Sequence, residues 1–450
     1  MKTPFRIGHL LISLAVKGAV LCSALPGAAA KPNVILIMAD DFGYECVTAN
    51  GGQSYQTPHL DRLAATGTRF ENCHVQPLCT PTRVQLMTGI YNVRNYIEFG
   101  LMDPKATTFA NLLKQAGYAT GICGKWQLGS ARDLPQRFGF DEAYLWQHTR
   151  RPPRYANPGL EHNAVEQDFN QGEYGPKLVN DFALDFVQRH RDRRFFLYYP
   201  MILTHDPFQP TPDSADWNPK TKSEQAQRDN KHFADMTAYM DKMVGRLMAK
   251  LEELGLRENT LVLFLGDNGT QVTITSRFNG TNYQGGKGTR TARGSHVPLI
   301  ASWPGKIPAG RVNADLIASV DFLPTLCDAS GVTVPTDLKI DGRSFFPQLL
   351  GQRGQPRDSY YMWYARDGGG TPEFEFAQSV AHKLYRDGKF FDLIADPFEE
   401  KPLAAAELTG ASAAAAKKLQ AELDTYAHAR PAHLARSVSP AGKKKKKAAD

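Results

Sequence analysis

The stretch Asn33-Val-Ile-Leu-Ile-Met-Ala-Asp-Asp41 decides the fold. Its apolar run has no polar alternation and is rich in β-branched residues. That is the pattern of a strand buried on both faces of a parallel sheet. The run stops abruptly at two carboxylates. A second run, Thr260-Leu-Val-Leu-Phe-Leu265, stops in the same way at Gly266-Asp267-Asn268-Gly269. In open parallel sheets, ligands bind beyond the carboxyl ends of the strands. Asp40, Asp41, Asp267 and Asn268 are therefore expected along one edge. Three carboxylates and an amide suit a hard cation, Ca²⁺ or alternatively Mg²⁺. Either cluster alone would serve equally well as a turn or a helix cap; the matched placement of the two points to metal.

Working outward, strand-like runs at 119–123 and 194–200 alternate with helical patterns at 59–66, 107–116 and 231–256. Such alternation predicts an α/β fold: a large, mixed but mostly parallel sheet sandwiched by helices. The chain has 450 residues, enough for one large domain and a smaller one. Beyond Pro356, short β-like runs (360–364, 378–385, 390–393) precede a helix at 411–427. They predict a small C-terminal α+β subdomain, an antiparallel sheet plus a helix. The segments 149–175 and 207–230 are rich in Pro, Asn, Asp and Gly and read as surface loops that shape a site.

The ends of the chain are of a different character. Lys2 and Arg6 precede an apolar segment, 9–25, interrupted by Lys17, and Ala28-x-Ala30 follows. This is the pattern of a secretory signal peptide over 1–30, too short and too broken for a membrane anchor. It predicts an exported protein, periplasmic or secreted, without stable membrane insertion. The net charge is +7. Subtracting the three cationic residues of the leader and the five lysines of 443–447 leaves the body at −1. A near-neutral body gives no ground for nucleic-acid binding. The organisation expected is thus leader 1–30, main domain 31–355, subdomain 356–430 and a disordered basic tail 431–450. The six cysteines show no zinc spacing, and their pairing cannot be deduced.

One cysteine stands out, in Leu78-Cys-Thr-Pro-Thr-Arg83. Pro81 fits the first turn of a helix. Cys79 would then lie at the helix mouth, with Arg83 one turn on. A helix N-terminus with an Arg makes an anion site and would depress a thiol pKa. A buried structural cysteine beside a helix cap is equally compatible.

Cys79-Thr-Pro-Thr-Arg83 followed by Leu86-Met-Thr-Gly89 resembles the signature of the formylglycine-dependent sulfatases, within the alkaline phosphatase superfamily. Other family motifs follow in order. Asp40-Asp41 resembles the first metal pair, and Asp267-Asn268-Gly269 the second. Gly124-Lys125-Trp126 resembles the Gly-Lys-Trp motif, His205-Asp-Pro207 the His-x-Pro motif, and Gly286-Lys287-Gly288 the Gly-Lys-Gly segment. Asp321-Phe-Leu-Pro-Thr325 and Phe391-Asp-Leu-Ile-Ala-Asp-Pro397 match later motifs.

The resemblance implies an exported sulfuric ester hydrolase acting on a sulfated small molecule or polysaccharide. It implies a formylglycine made from Cys79 by a maturation enzyme, whose hydrated form attacks sulfur. It assigns charge stabilisation to Arg83, Lys125 and Lys287, and proton donation to His205. Two departures stand out. Gln127 occupies the place of the family's His in Gly-Lys-Trp-His-Leu-Gly, and Gln cannot act as a base. The segment around His296 also differs, which would alter substrate contacts if it reached the rim of the site. His148, with Arg150, Arg151 and Arg154, marks a loop that would suit an anionic glycan or would simply be a solvated charge run. The alternatives to a sulfatase are a phosphoester or phosphonate hydrolase of the same superfamily, and a degenerate member that binds sulfated glycans without cleaving them.

Overall fold

The computed structural model describes residues 31–221, 225–369 and 372–435, with positions 1 and 4. The expected leader, apart from those two positions, and the lysine run lie outside the described residues.

Strand β1 (Asn33–Ala39) is buried at every position and runs through the middle of a ten-stranded sheet. The sheet also holds β2 (Thr68–His74), β3 (Ala119–Gly124), β4 (Glu142–Trp146), β5 (Gly159–His162), β6 (Val165–Asp168), β7 (Phe195–Pro200) and β8 (Thr260–Gly266). A separate hairpin, β9 (Thr275–Phe278) with β10 (Thr281–Gln284), precedes the last two strands of the sheet, β11 (His296–Ser302) and β12 (Arg311–Ala318). The spatial order is β12-β2-β11-β8-β1-β7-β3-β4-β5-β6. The central block β8-β1-β7-β3-β4 is wholly parallel, and β2-β11-β8 and β4-β5-β6 pair antiparallel.

Successive side chains of β1 point to opposite faces, so one strand feeds two cores. Val34, Leu36 and Met38 join one core; Ile35, Ile37 and Ala39 join the other. On the second face lies the helix His232–Glu253, whose Met236, Met240, Met243, Val244, Leu247 and Leu251 form one buried stripe. The first core continues without a break into the C-terminal sheet, β13 (Tyr360–Tyr364), β14 (Phe374–Gln378), β15 (His382–Tyr385) and β16 (Phe390–Asp392). That sheet is antiparallel throughout. The helix Gly410–Tyr426 covers it through Leu419, Leu423 and Tyr426.

Two local expectations need correction. Segment 149–175, read as loop, contributes the β5–β6 hairpin at the sheet edge. The alternation that marks a strand is missing because β6 has no buried face; Val165 is 71% exposed. The run 378–385 is two strands joined by a turn, in which Ser379 N donates to His382 O at 2.8 Å. Among the described residues all five cysteines are buried free thiols, and no helix is long and apolar enough to cross a membrane.

The two sheets are joined in two ways. Asp321 and Arg357 form a buried, forked ion pair, with Nε–Oδ2 at 2.8 Å, and Arg357 also reaches Tyr91 Oη at 3.1 Å. Beside this runs a column of rings. Tyr360 stacks on His74 at 5.0 Å, His74 on His296 at 5.0 Å, and His296 on Tyr44 at 4.2 Å. His296 Nε2 meets Glu71 O at 2.7 Å. Burial draws His296 down to about 4 and lowers His74 as well, so both rings are neutral near pH 7.

Asp321→Ala strands a buried guanidinium and is expected to cost about 3–5 kcal/mol in denaturant unfolding. A depressed His stabilises the fold above its unfolded pKa, and that contribution is lost as pH falls toward its folded value. The protein therefore loses stability between pH 6.5 and about 4. In His296→Phe, the stability gap between pH 7 and pH 4.5 is expected to narrow by about 2 kcal/mol, read from urea midpoints at both pH values.

Candidate active site

The parallel order β8-β1-β7-β3 brings four strand ends to one edge. Ala39 is level with Gly266, so Asp40 and Asp267 leave the sheet side by side. The chain beyond β7 is stitched back to β1, with Asp40 N donating to Leu203 O at 2.8 Å and Thr204 N to Asp40 O at 2.7 Å. His205 follows directly. Beyond β3, Gly124 has φ +123, and a Cβ there would lie 1.9 Å from Pro200 O. Only glycine lets β3 end this close to β7. Lys125 N then donates to Pro200 O at 2.8 Å, which aims its side chain at Asp40.

Cys79 begins the helix Cys79–Thr88, all ten residues of which are buried. Pro81 lies in its first turn, and Gly89 closes it in the left-handed conformation, φ +70. Arg83, one turn on and 1% exposed, donates from Nη2 to Asp267 Oδ2 at 3.0 Å and from Nη1 to Lys125 O at 2.9 Å. Lys125 Nζ lies 2.9 and 2.7 Å from the two oxygens of Asp40 and 3.3 Å from Cys79 Sγ. Cys79 Sγ is 3.5 Å from Asp40 Oδ1. Lys287 Nζ donates to Asp41 Oδ2 at 2.6 Å and lies 3.0 Å from His205 Nε2.

Three fully buried carboxylates thus face three cations, and the side chains sum to zero charge. Burial pushes Asp40 up in spite of Lys125. For Asp41, burial is outweighed by Lys287, His205 and Lys125, and its pKa falls. Burial lowers Lys287, but Asp41, Asp40 and the other acidic groups beside it together outweigh that cost, and its pKa is raised. Loss of solvent draws His205 down to about 3, so its ring is neutral. The reactive-thiol expectation fails here. Burial, then Asp267 and Asp40, push the Cys79 thiol well up, beyond what Lys125 offsets. A helix end acts only within its own turn, whereas the surrounding carboxylates act from the strand ends.

The donor set fits a hard divalent cation. Asn268 Nδ2 donates to Asp41 Oδ1 and Gly269 O, both at 2.9 Å, while its buried Oδ1 has no protein partner. An orphaned amide oxygen among three buried carboxylates is a ligand geometry that hydrogen bonding leaves unexplained. Ligating atoms of Asp40, Asp41, Cys79 and His205 also lie within 4.8 Å of one another. Asp267 joins the group through Asp41 N, which donates to its Oδ1 at 3.0 Å.

Gln127 has φ +58; its backbone oxygen accepts from Thr80 Oγ1 at 3.3 Å, and its buried Oε1 is unpartnered. It lines a cavity of about 510 Å³ beside the helix mouth, together with His148, whose Nδ1 lies 2.6 Å from Glu161 Oε1. His296 sits in the ring column rather than within this cluster. Sequence reasoning missed the placement of three residues, naming Arg154 only as part of a basic loop and the other two not at all. Arg154 stacks on Trp146 at 4.3 Å and reaches His205 Nδ1 at 3.2 Å. Lys383 and Glu399, 2.9 Å apart and buried, clasp the loop that carries Lys287, with Ala292 N donating to Glu399 Oε1 at 3.2 Å and Lys383 Nζ to Arg290 O. The basic run at 150–154 was the only sign of the first, and nothing in the spacing marks the other two.

Comparison with known proteins accords with this geometry. The sulfatase family model matches residues 32–332, and that of the C-terminal region of N-sulphoglucosamine sulphohydrolase matches 291–427. The chain is 32% identical to dog N-acetylgalactosamine-6-sulfatase, over 76% of this chain and 70% of the relative. It is 33% identical to bovine arylsulfatase A, over 82% and 78%. The crystal structure of Ps i-CgsB superposes with a TM-score of 0.76 at 25% identity, covering 89% of this chain and 94% of that one. The chain belongs to the sulfatase family of the alkaline phosphatase superfamily and is a sulfuric ester hydrolase.

Proposed function

We propose that this sulfatase is exported and removes sulfate from a sulfated carbohydrate, using a formylglycine made from Cys79 and a cation, Ca²⁺ or Mg²⁺, held by Asp40, Asp41, Asp267 and Asn268. The observation that carries this reading is the position of Cys79 Sγ, between Lys125 Nζ and Asp40 Oδ1 at the convergent strand ends. A thiol with a raised pKa is a poor nucleophile there. The polar surroundings suit hydroxyl groups instead. Carbohydrate is supported by the N-acetylgalactosamine-6-sulfatase relatives and by Ps i-CgsB, which was also solved with k-i-k-neocarrahexaose.

Conversion of Cys79 supplies a diol oxygen to attack sulfur and a second hydroxyl for sulfate release. The cation supplies Lewis acidity toward the sulfate oxygens. The chain's own residues do the rest. The neutral side-chain set becomes positive when a divalent ion joins it, so the site attracts an anionic ester. Arg83 is locked by two hydrogen bonds and Lys125 by three polar contacts, so both are aimed before substrate arrives. Lys287 keeps its proton because Asp41 holds its pKa up. Its Nζ lies 3.0 Å from His205 Nε2, so the two groups stand together where the leaving oxygen would depart, with the ammonium as the protonated member of the pair.

Mass spectrometry of the peptide holding Cys79, after co-expression with a formylglycine-generating enzyme, is expected to show the aldehyde. The same preparation should cleave an aryl sulfate in preference to an aryl phosphate. A persistent thiol with no hydrolysis of any sulfate ester would overturn the reading. Lys125→Ala and Lys287→Ala are expected to lower kcat roughly 100- to 1000-fold. In a thermal unfolding scan, Ca²⁺ or Mg²⁺ at a hundred times its dissociation constant should stabilise the protein by about 2.7 kcal/mol. That gain should shrink in Asn268→Ala; a wild-type Tm indifferent to both ions would rule out the metal site.

A further inference from the structure

The basic run at 150–154 divides into three different fates. Arg150 is neutralised: its Nε lies 2.8 Å from Glu166 Oε2 and its Nη2 2.8 and 2.9 Å from the oxygens of Asp168. Arg154 is committed to Trp146 and His205. Arg151 makes no side-chain hydrogen bond or ion pair among the described residues, yet it lines the 510 Å³ cavity with Gln127, Trp126 and Trp146. It lies close enough to Arg154 to feel its charge. Glu98 is the one carboxylate on the lining, and it has a partner of its own.

Backbone conformation singles out the same two residues. Arg151 has φ +51 and Gln127 φ +58. Left-handed backbone is unfavourable for a residue with a long side chain and clusters at functional sites. Two such residues border one cavity, one with an uncommitted guanidinium and the other with an orphaned buried amide oxygen. The cavity adjoins the nucleophile. Thr80, next to Cys79, donates to Gln127 O and accepts from Gly100 N at 3.1 Å, which ties two of its walls to the helix mouth.

We propose that Arg151 and Gln127 form a second subsite beside Cys79, selecting sugars that carry another acidic group near the ester to be cleaved. Arg151 pairs with that group, a second sulfate or a carboxylate, and Gln127 Oε1 accepts a hydrogen bond from a sugar hydroxyl. Trp126 and Trp146 give the wall its apolar surface. The proposal rests on the carbohydrate reading above, but its test does not need turnover.

Cys79→Ala cannot be converted, so its ligands survive during calorimetry. Three probes are titrated: an N-acetylhexosamine 6-sulfate, the same sugar with a second sulfate, and a disaccharide joining the 6-sulfate to a uronate. At least one acidic probe is expected to bind roughly tenfold or more tightly than the monosulfate, the share of one charge-assisted hydrogen bond. The preferred probe distinguishes sulfate from carboxylate. Adding Arg151→Gln should reduce that preference to about twofold or less, and Arg151→Lys should keep part of it. Arg151→Gly removes the charge while relieving the backbone, so it separates lost binding from misfolding; it should match Arg151→Gln. A preference that survives in Arg151→Gln and Arg151→Gly, or no preference for either acidic probe, would overturn the subsite. Failure of the carbohydrate reading shows separately, as no sulfate released from any of these sugars by the converted enzyme.

Discussion

Three carboxylates at the ends of adjacent strands, each wholly withdrawn from water, are the constraint on which this structure rests. Desolvating one carboxylate costs several kcal/mol unless a partner is fixed in place. Each local peculiarity of the site supplies such a partner. Gly124 lets β3 run against β7 so that Lys125 reaches Asp40. The buried helix turns Arg83 toward Asp267. The loop carrying Lys287 to Asp41 is clasped from the C-terminal sheet by Lys383 and Glu399. The smaller sheet is therefore part of the chemistry at one remove, although it lends the site no side chain directly.

What could be read from the chain follows the range of the forces involved. Asn33–Ala39 announces its own strand because burial on both faces leaves a continuous apolar run, and the acids that end it need no distant information. The convergence of Asp40, Asp41, Asp267, Lys125 and His205 follows once the strands are taken as parallel. The β5–β6 hairpin could not be read because neither face of β6 is buried. The thiol argument failed for the opposite reason. It weighed a helix end and an Arg within five residues, while burial decides the outcome, helped by Asp267 and Asp40, 188 and 39 positions away in the chain. Arg154, Lys383 and Glu399 depend on tertiary placement, and no spacing reveals that.

Gln127 remains the chemical oddity. A neutral amide replaces an imidazole on a strained backbone at a cavity wall, next to a guanidinium on an equally strained one. Loss of a titratable group and gain of a fixed hydrogen-bonding one trade proton transfer for recognition. His205, neutral, is held between Lys287 and Arg154.

The helix that begins at Cys79 has no exposed residue along its length. Any chemistry performed on that cysteine by another protein needs an unwound chain, because enclosing the helix and granting access to it are mutually exclusive. Folding is then a point of no return. Under the proposed conversion of Cys79, molecules that collapse around an unaltered thiol keep it, and the active fraction of a preparation is set by a race between two rates rather than by an equilibrium. A mutation that merely hastens folding would lower that fraction without touching the site.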